Sequence, residues 1–444
     1  MDPIALSIFV SRIEAICEEM GVALRRSAFS PNIKDRLDFS CAVFDPAGQL
    51  CAQAAHIPVH LGSMAYAMAD LVACQRWQPG DMVIVNDPFL GGTHLPDVTV
   101  IAPLFVGDTL CAFVANRAHH ADIGAQSPGS MPLSSRLEEE GLVIPPTLLV
   151  RGGVTDQNWL KQLLAPLRCP QEAQGDFSAQ ISANRVGLER LTTLVAEQGV
   201  VTFNNGLAAL NDYGERLARA ALADIPDGVY RYTDWLDDDG QGQQNLPITV
   251  GITVAGGTVE VDFTGTVSQV SGNVNCPLSV AAAAVYYVFR CLMPSHAPAC
   301  AGSFRPIRLS APLGSLLNAQ RPAAVAAGNV ETSQRVVDVL LGALAQALPE
   351  IIPAAAYGSM NNVAMGAAAT DSRRGWDYYE TLGGGLGGGA HHPGLSGVQG
   401  HMTNTLNTPI EALEMAYPLQ VTRYALRRGS GGSGHHPGGD GIVR

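Results

Sequence analysis

Near the start of the chain, apolar residues recur every three or four positions with acidic residues between them. This spacing predicts an amphipathic helix from about Leu6 to Arg25. The same period returns between Leu61 and Leu71, and the turn residues at 78–81 end it. The pattern therefore predicts two packing helices ahead of the first clear strand.

Short β-branched and alternating runs follow. They predict strands at residues 82–85, 98–101 and 110–115, and again at 228–232 and 258–263. Because the strands form hairpin-like groups with helices segregated between them, we expect an α+β fold, multi-lobe and mixed, with β-hairpin-rich lobes and connecting helices. The expected lobes are an N-terminal α/β lobe that carries a metal loop (1–150), a mainly helical connector (151–225), a β-rich lobe (226–275) and an α/β portion with Gly-rich loops (276–444).

The charge content is low and its balance is acidic. Charged residues make up 15% of the chain, against roughly 25% in average soluble domains, so we expect other subunits to cover part of the surface. The formal net charge of −13 would repel a nucleic-acid backbone or an anionic membrane. We therefore expect neither nucleic acid nor membrane as a partner.

The cysteines and the amino terminus indicate the cellular compartment of the protein. The nine cysteines are dispersed and form no Cys-x-x-Cys pair, which is typical of a reduced, intracellular protein. The chain begins with Asp2 where a secretory signal would be basic. Its longest apolar stretch, residues 278–289, is shorter than the roughly 20 residues that cross a bilayer. We expect a cytoplasmic location.

A predicted hairpin brings chemistry-bearing residues together. Residues 106–109 predict a two-residue Gly-Asp turn between two strands. Pairing Val106 with Thr109 would place Asp97 opposite Ala118 and return His119 beside Asp97.

This hairpin makes a metal site one of two interpretations. His94 and Asp97 are three residues apart in a loop, and His119 or His120 arrives across the sheet. Two imidazoles and a carboxylate suit a divalent transition metal with open positions, and Mn, Zn and Fe all remain possible. The alternative is that these histidines cap strand ends and bind loop carbonyls.

The sequence signals for other kinds of chemistry are weaker or absent. No Gly-x-Ser-x-Gly elbow and no Gly-x-x-x-x-Gly-Lys-Ser/Thr loop occur, so no nucleotide or organic cofactor is expected to bind this chain. His120 and Asp122 are candidate catalytic residues, which would orient the metal ligands or move a proton. The acidic run 138–140 could contribute a carboxylate to a site, but it is more typical of an exposed turn or helix face.

Several longer motifs resemble the hydantoinase B/oxoprolinase family in order along nearly the whole chain. These motifs are residues 38–45, 55–64, the His94 loop, 119–124, 128–131, 328–335, 401–405 and 429–432.

The resemblance implies a function. Such a B-type chain completes the hydrolysis of a small cyclic amide, such as 5-oxoproline or a hydantoin, that an ATP-binding hydantoinase A-type partner activates. ATP is then used through that partner in a hetero-oligomer. Related assemblies instead carboxylate ketones such as acetone or acetophenone. The metal ligands of that carboxylase subunit match His94, Asp97 and His119.

The sequence departs from the family pattern in two places, and its short C-terminus together with its low charge content favours a third interpretation, a non-catalytic scaffold or inactive fragment. Residues 125–126 are Ala-Gln where the family usually has a second glycine, which would reshape the pocket rim. The chain ends at Arg444, where family members usually continue, so a truncated form is expected.

Overall fold

The structure is a computed structural model that describes residues 1–54, 57–370, 372 and 375–444. Ala55 and His56, which open the motif at 55–64, lie outside the described residues. The described helices are α1 (Pro3–Ser27), α2 (Pro31–Lys34), α3 (Pro58–Ala73), α4 (Gln157–Leu164), α5 (Pro170–Gln198), α6 (Val200–Leu222), α7 (Leu278–Cys291), α8 (Ala301–Phe304), α9 (Glu331–Leu344) and α10 (Ile410–Ala416).

The described strands form four sheets and alternate with these helices along the chain. They are β1 (Phe39–Phe44), β2 (Leu50–Gln53), β3 (Met82–Val85), β4 (Asp97–Val106), β5 (Thr109–His119), β6 (Thr147–Arg151), β7 (Val154–Thr155), β8 (Gly228–Asp238), β9 (Gln244–Ala255), β10 (Thr258–Asp262), β11 (Ile307–Ser310), β12 (Asn362–Ala367), β13 (Trp376–Thr381), β14 (Ala425–Arg427) and β15 (Gly441–Val443). The expected mixed α+β fold with several lobes is confirmed. The four lobe boundaries drawn from the sequence stay a prediction.

The largest sheet positions the candidate site. Its strands run in the order β2-β1-β5-β4-β3-β6-β7, and every neighbouring pair is antiparallel. The long hairpin β4–β5 lies at its centre. Consecutive residues of a strand project to opposite faces, so this hairpin contributes to two separate cores.

One core lies between this sheet and the long helices α1 and α5. Val98, Val100 and Ala102 of β4 project into it, together with Phe9 of α1 and Phe177 of α5. The predicted first helix is α1, which begins with the Asp2 side chain accepting hydrogen bonds from the amides of Ile4 and Ala5.

The other core joins the large sheet to a second sheet. Ile101 and Phe113 of the hairpin pack there with Met64 of α3 and with apolar residues of α7 and α9. The second sheet has the order β11-β10-β9-β8, and β10–β11 is its parallel pair. The helices α3, α7 and α9 therefore form a layer between the two sheets.

The Gly-rich loops of the last quarter pack backbone against backbone. A Cβ atom added to Gly385 would lie 1.8 Å from the carbonyl oxygen of Gly439, and one added to Gly387 would lie 1.8 Å from that of Ala354. Glycine is therefore required at both positions by close approach. Of the helices in the described ranges, none combines the length and apolar character needed to span a bilayer.

Candidate metal centre

Asp97 and His119 meet because of a β-bulge. Asp97 begins β4 and His119 ends β5, and the two residues lie directly opposite each other. The predicted register placed Ala118 opposite Asp97 and is wrong by one residue, because the pairing shifts between Leu104 and Phe105. Directly opposed residues of antiparallel strands project from the same face, so the bulge puts His119 on the face of Asp97.

His94 joins them from the loop that precedes β4. Its Nε2 lies 3.2 Å from Asp97 Oδ1, and His119 Nδ1 lies 3.1 Å from the same oxygen. One ligand atom of each residue lies within 4.8 Å of the others, and all three side chains are buried. Within the described part of the chain, this is the one group of three or more His, Cys, Asp or Glu residues arranged to hold a metal ion.

Hydrogen bonds hold the cluster in place. The Thr93 hydroxyl donates to Asp97 Oδ2 over 2.7 Å. His94 Nδ1 lies 3.2 Å from the carbonyl oxygen of Ala326, which can only accept, so Nδ1 carries the proton. The remaining nitrogen of a neutral His94, Nε2, then points its lone pair at Asp97. This is the tautomer in which an imidazole binds a metal through Nε2.

Two further polar residues belong to the cluster and were not identified as site residues from the sequence. His60, in the first turn of α3, places Nε2 3.2 Å from Asp97 Oδ2. Asn329, in the short turn before α9, places its amide nitrogen 3.1 Å from His94 Nε2 and 3.4 Å from Asp97 Oδ2. Both lie in stretches that resemble the family, which is the one sequence signal that pointed to them.

Aromatic and apolar residues enclose the cluster. The ring of Tyr379 on β13 stacks on His119 with 4.7 Å between the ring centres. The enclosed cavity has a volume of about 20 Å³, and Met360 and Met402 are among the residues that line it. A volume of this size accommodates an ion or a single water, and a larger ligand would enter only after the lining residues move.

Burial and the contacts within the cluster shift the pKa values of its three residues in different directions. Burial alone would raise the pKa of the Asp97 carboxyl, but the imidazoles of His94 and His60 and the hydrogen bond from His119 hold this pKa well below its usual range. Burial opposes protonation of His94, yet Asp97 raises its pKa above the ordinary value. Burial lowers the pKa of His119, which favours the neutral ring that a metal requires.

The residues present fit a divalent transition metal. His119 Nε2 is buried and has no hydrogen-bond partner among the described residues. Buried polar atoms of this kind are rare and call for an explanation such as an ion. His94 Nε2 also lies 3.2 Å from Asp97 Oδ1, and the Asn329 amide nitrogen lies 3.1 Å from the same Nε2, so a neutral His94 presents its lone pair to this polar cluster. Two imidazoles and a carboxylate suit Mn, Zn or Fe.

The two residues predicted to be catalytic lie elsewhere. His120 Nε2 lies 3.0 Å from Gln180 Oε1 of α5, and its ring stacks on Phe177. Asp122 accepts hydrogen bonds from the backbone amides of Arg168 and Cys169 ahead of α5. The structure thus brings together His94, Asp97 and His119 but directs the polar atoms of His120 and Asp122 toward the α5 side. Their catalytic role stays a prediction.

The acidic run 138–140 also differs from its expected form. Glu138 and Glu139 are exposed as predicted, but Glu140 is completely buried. Burial raises the pKa of the Glu140 carboxyl to about 7, although three hydrogen bonds to the carboxylate oppose that shift. Periodicity could not separate Glu140 from its neighbours, because the burial comes from a segment more than 180 residues later in the chain.

Several relatives match this chain over its whole length. Protein MJ0963 of Methanocaldococcus jannaschii is 41% identical over all of this chain and 78% of its own length. The 5-oxoprolinase 1 of Arabidopsis thaliana is 39% identical over all of this chain and 36% of its own length. The chain thus spans about a third of that 5-oxoprolinase.

Solved structures show the same fold. An ATP-dependent caprolactamase from Pseudomonas jessenii matches all of this chain and 78% of its own, at 29% identity and a TM-score of 0.92. An acetone carboxylase matches 99% of this chain and 61% of its own, also with a TM-score of 0.92, and at 19% identity this likeness shows the fold alone. The model of the family Hydantoinase B/oxoprolinase matches residues 2–444. The chain belongs to the hydantoinase B/oxoprolinase family.

Proposed function

We propose that this chain is the metal-bearing B-type subunit of an ATP-dependent hydantoinase or 5-oxoprolinase. It hydrolyses the amide bond of a small cyclic amide that a hydantoinase A-type partner activates. The observation that carries the proposal is the buried cluster of His94, Asp97 and His119, whose ligand atoms lie within 4.8 Å of one another. Relatives named 5-oxoprolinase and a structural neighbour named caprolactamase both act, by their names, on cyclic amides.

His94, Asp97 and His119 would hold the metal. When bound, such an ion polarises a carbonyl group or lowers the pKa of a bound water. The chain's own residues prepare the site: the Ala326 carbonyl selects the tautomer of His94, and Thr93, His60 and Asn329 fix the orientation of Asp97. The aromatic face of Tyr379 excludes water beside His119.

A separate ATP-binding chain is part of the proposal. This sequence contains no Gly-x-x-x-x-Gly-Lys-Ser/Thr loop. It also spans only 36% of the Arabidopsis 5-oxoprolinase, so most of that enzyme has no counterpart here. The partner would activate the substrate with ATP, and the two chains would form a hetero-oligomer.

The test is reconstitution with a hydantoinase A-type chain. The purified pair is incubated with 5-oxoproline, caprolactam or a hydantoin, and ring opening and ADP are measured with and without each component. We expect ring opening that requires both chains and ATP. Asp97→Ala should abolish turnover, and Glu138→Gln is the surface control. Full turnover by the Asp97→Ala complex would contradict the proposal and favour a scaffold role.

A ketone carboxylase is the second candidate, favoured by the shared fold with acetone carboxylase. The same reconstituted pair is given acetone or acetophenone with ATP and isotope-labelled bicarbonate. Label in an acid-stable product without ring-opening activity would replace the first candidate by the second.

A further inference from the structure

A buried carboxylate lies behind the metal cluster and does not touch it. Glu140 follows the short helical turn Leu137–Glu139, and the backbone amide of Leu137 donates to the carbonyl of Pro322. This segment therefore runs alongside the chain that leads into the turn Ala327–Asn329. Burying an acidic side chain costs free energy unless its hydrogen bonds are satisfied, so the position of Glu140 needs a reason.

Glu140 binds the backbone that supports His94. Its Oε1 accepts hydrogen bonds from the amides of Val325 and Ala326, each 2.9 Å away, and from the Ser134 hydroxyl at 2.8 Å. The carbonyl of the same Ala326 accepts the proton of His94 Nδ1. One residue, Ala326, thus connects the Glu140 carboxylate to a candidate metal ligand.

The same contact also supports Asn329. Ala326 immediately precedes the turn Ala327–Asn329, and the amide of Asn329 reaches both His94 Nε2 and Asp97 Oδ2. A shift of the Val325–Ala326 backbone would therefore move two contacts of the cluster together. Groups that hydrogen-bond to a metal ligand without touching the ion fix the tautomer and orientation of that ligand.

We propose that Glu140 is a positioning residue of the metal centre, which holds Ala326 and Asn329 so that His94 presents Nε2 to the ion. The inference rests on the proposed metal site and adds a residue to it. The second carboxylate oxygen, Oε2, is buried and has no partner among the described residues.

The experiment measures metal affinity and needs no turnover. The full chain is stripped with a chelator and titrated with Co²⁺, whose visible absorption reports both binding and coordination geometry. We expect Glu140→Ala to raise the dissociation constant by about 10–100-fold, as loss of an outer-shell partner does, and to change the absorption bands. Glu140→Gln keeps one acceptor oxygen for the two amides, so it should retain most of the affinity.

Two controls separate positioning from general stability. Glu138→Gln makes the same chemical change at an exposed neighbour and should bind Co²⁺ like the wild type. Asn211→Ala on α6 removes a buried acceptor for the Gly302 amide of α8 and should lower the unfolding free energy without changing Co²⁺ affinity. If Glu140→Ala does not fold, Glu140→Asp replaces it, since the shorter side chain cannot reach both amides from the same backbone.

The outcomes are distinct. Wild-type affinity and spectrum in the folded Glu140→Ala or Glu140→Asp variant would overturn the positioning role and leave the metal site intact. A wild-type chain that binds no Co²⁺ would overturn the proposed metal site itself, and with it this inference.

Discussion

Two consecutive histidines at the end of β5 lie in different surroundings. His119 faces Asp97 and His94, and its Nε2 has no partner among the described residues. His120 faces α5, where Gln180 Oε1 lies 3.0 Å from its Nε2. Both rings are buried and both stack on an aromatic residue, so burial and packing do not distinguish them. The two rings differ at Nε2, which has a partner among the described residues in His120 but not in His119.

The comparison extends to the nearby carboxylates. Asp97 contacts three imidazoles, one hydroxyl and the Asn329 amide, whereas Asp122 accepts from backbone amides and lies 4.0 Å from the Arg168 guanidinium. A carboxylate among imidazoles has the ligand types of a metal site, whereas one that accepts from backbone amides has the contacts that stabilise a loop. The contacts of His120 and Asp122 on the α5 side are therefore those of structural residues. The contacts of His119 and Asp97 on the opposite side are those expected at a ligand site.

The largest expected effect is that of Asp97→Asn, which keeps the shape of the side chain and removes its charge. Because Asp97 contacts every imidazole of the cluster, metal affinity should fall by more than about 100-fold, beyond the usual effect of an outer-shell residue. Elemental analysis after dialysis measures the loss. Asp122→Asn is the matched control and should retain the wild-type metal content; equal loss in both variants would erase the distinction between the two sides.

The next effect concerns stability on the α5 side. His120→Ala leaves Gln180 Oε1 without its partner and opens a cavity beside Phe177, so the unfolding free energy should fall by about 3 kcal/mol. Denaturant unfolding measures this change, and metal content should stay at the wild-type level. Loss of metal with unchanged stability would instead support the catalytic or ligand-orienting role predicted for His120.

A smaller effect is the pH dependence that Glu140 contributes to the free energy of unfolding. Its folded pKa of about 7 lies above the ordinary carboxyl value of 4.5, so the folded state binds the proton more tightly than the unfolded state. The associated stability is present at low pH and is lost as pH rises through 7. Relative to Glu140→Gln, the metal-stripped wild type should lose about 2 kcal/mol between pH 5 and 8. A pH-independent difference would contradict the raised pKa.

The smallest expected effect is that of Asn329→Ala. It removes one amide contact to His94 and Asp97 and keeps all three proposed ligands, so metal affinity should fall by about 10-fold. Isothermal titration with Mn²⁺ or Zn²⁺ measures it, with the exposed Asn404→Ala as control. An affinity as low as that of Asp97→Asn would make Asn329 a ligand rather than a support.

The spacing of residues along the chain was sufficient to predict the secondary-structure elements that carry the proposed ligands. The helical period predicted α1 and α3, and strand runs with a Gly-Asp turn predicted the hairpin β4–β5. Because that hairpin is local, the sequence predicted that His94 and Asp97 converge with His119 or His120, and the family resemblance pointed to His119. These interactions depend on periodicity and turn chemistry, which neighbouring residues determine.

Only the tertiary structure decided which partners each side chain finds. The bulge in β4–β5 shifted the expected pairing by one residue, so that His119 lies directly opposite Asp97, and no turn signal marks a bulge inside a strand. His60, Asn329 and Glu140 reach the site through contacts between segments far apart in sequence, as between His94 and Ala326, 232 residues away. Such contacts depend on how helices and sheets pack together, and the period of a single element contains no information about its distant neighbours.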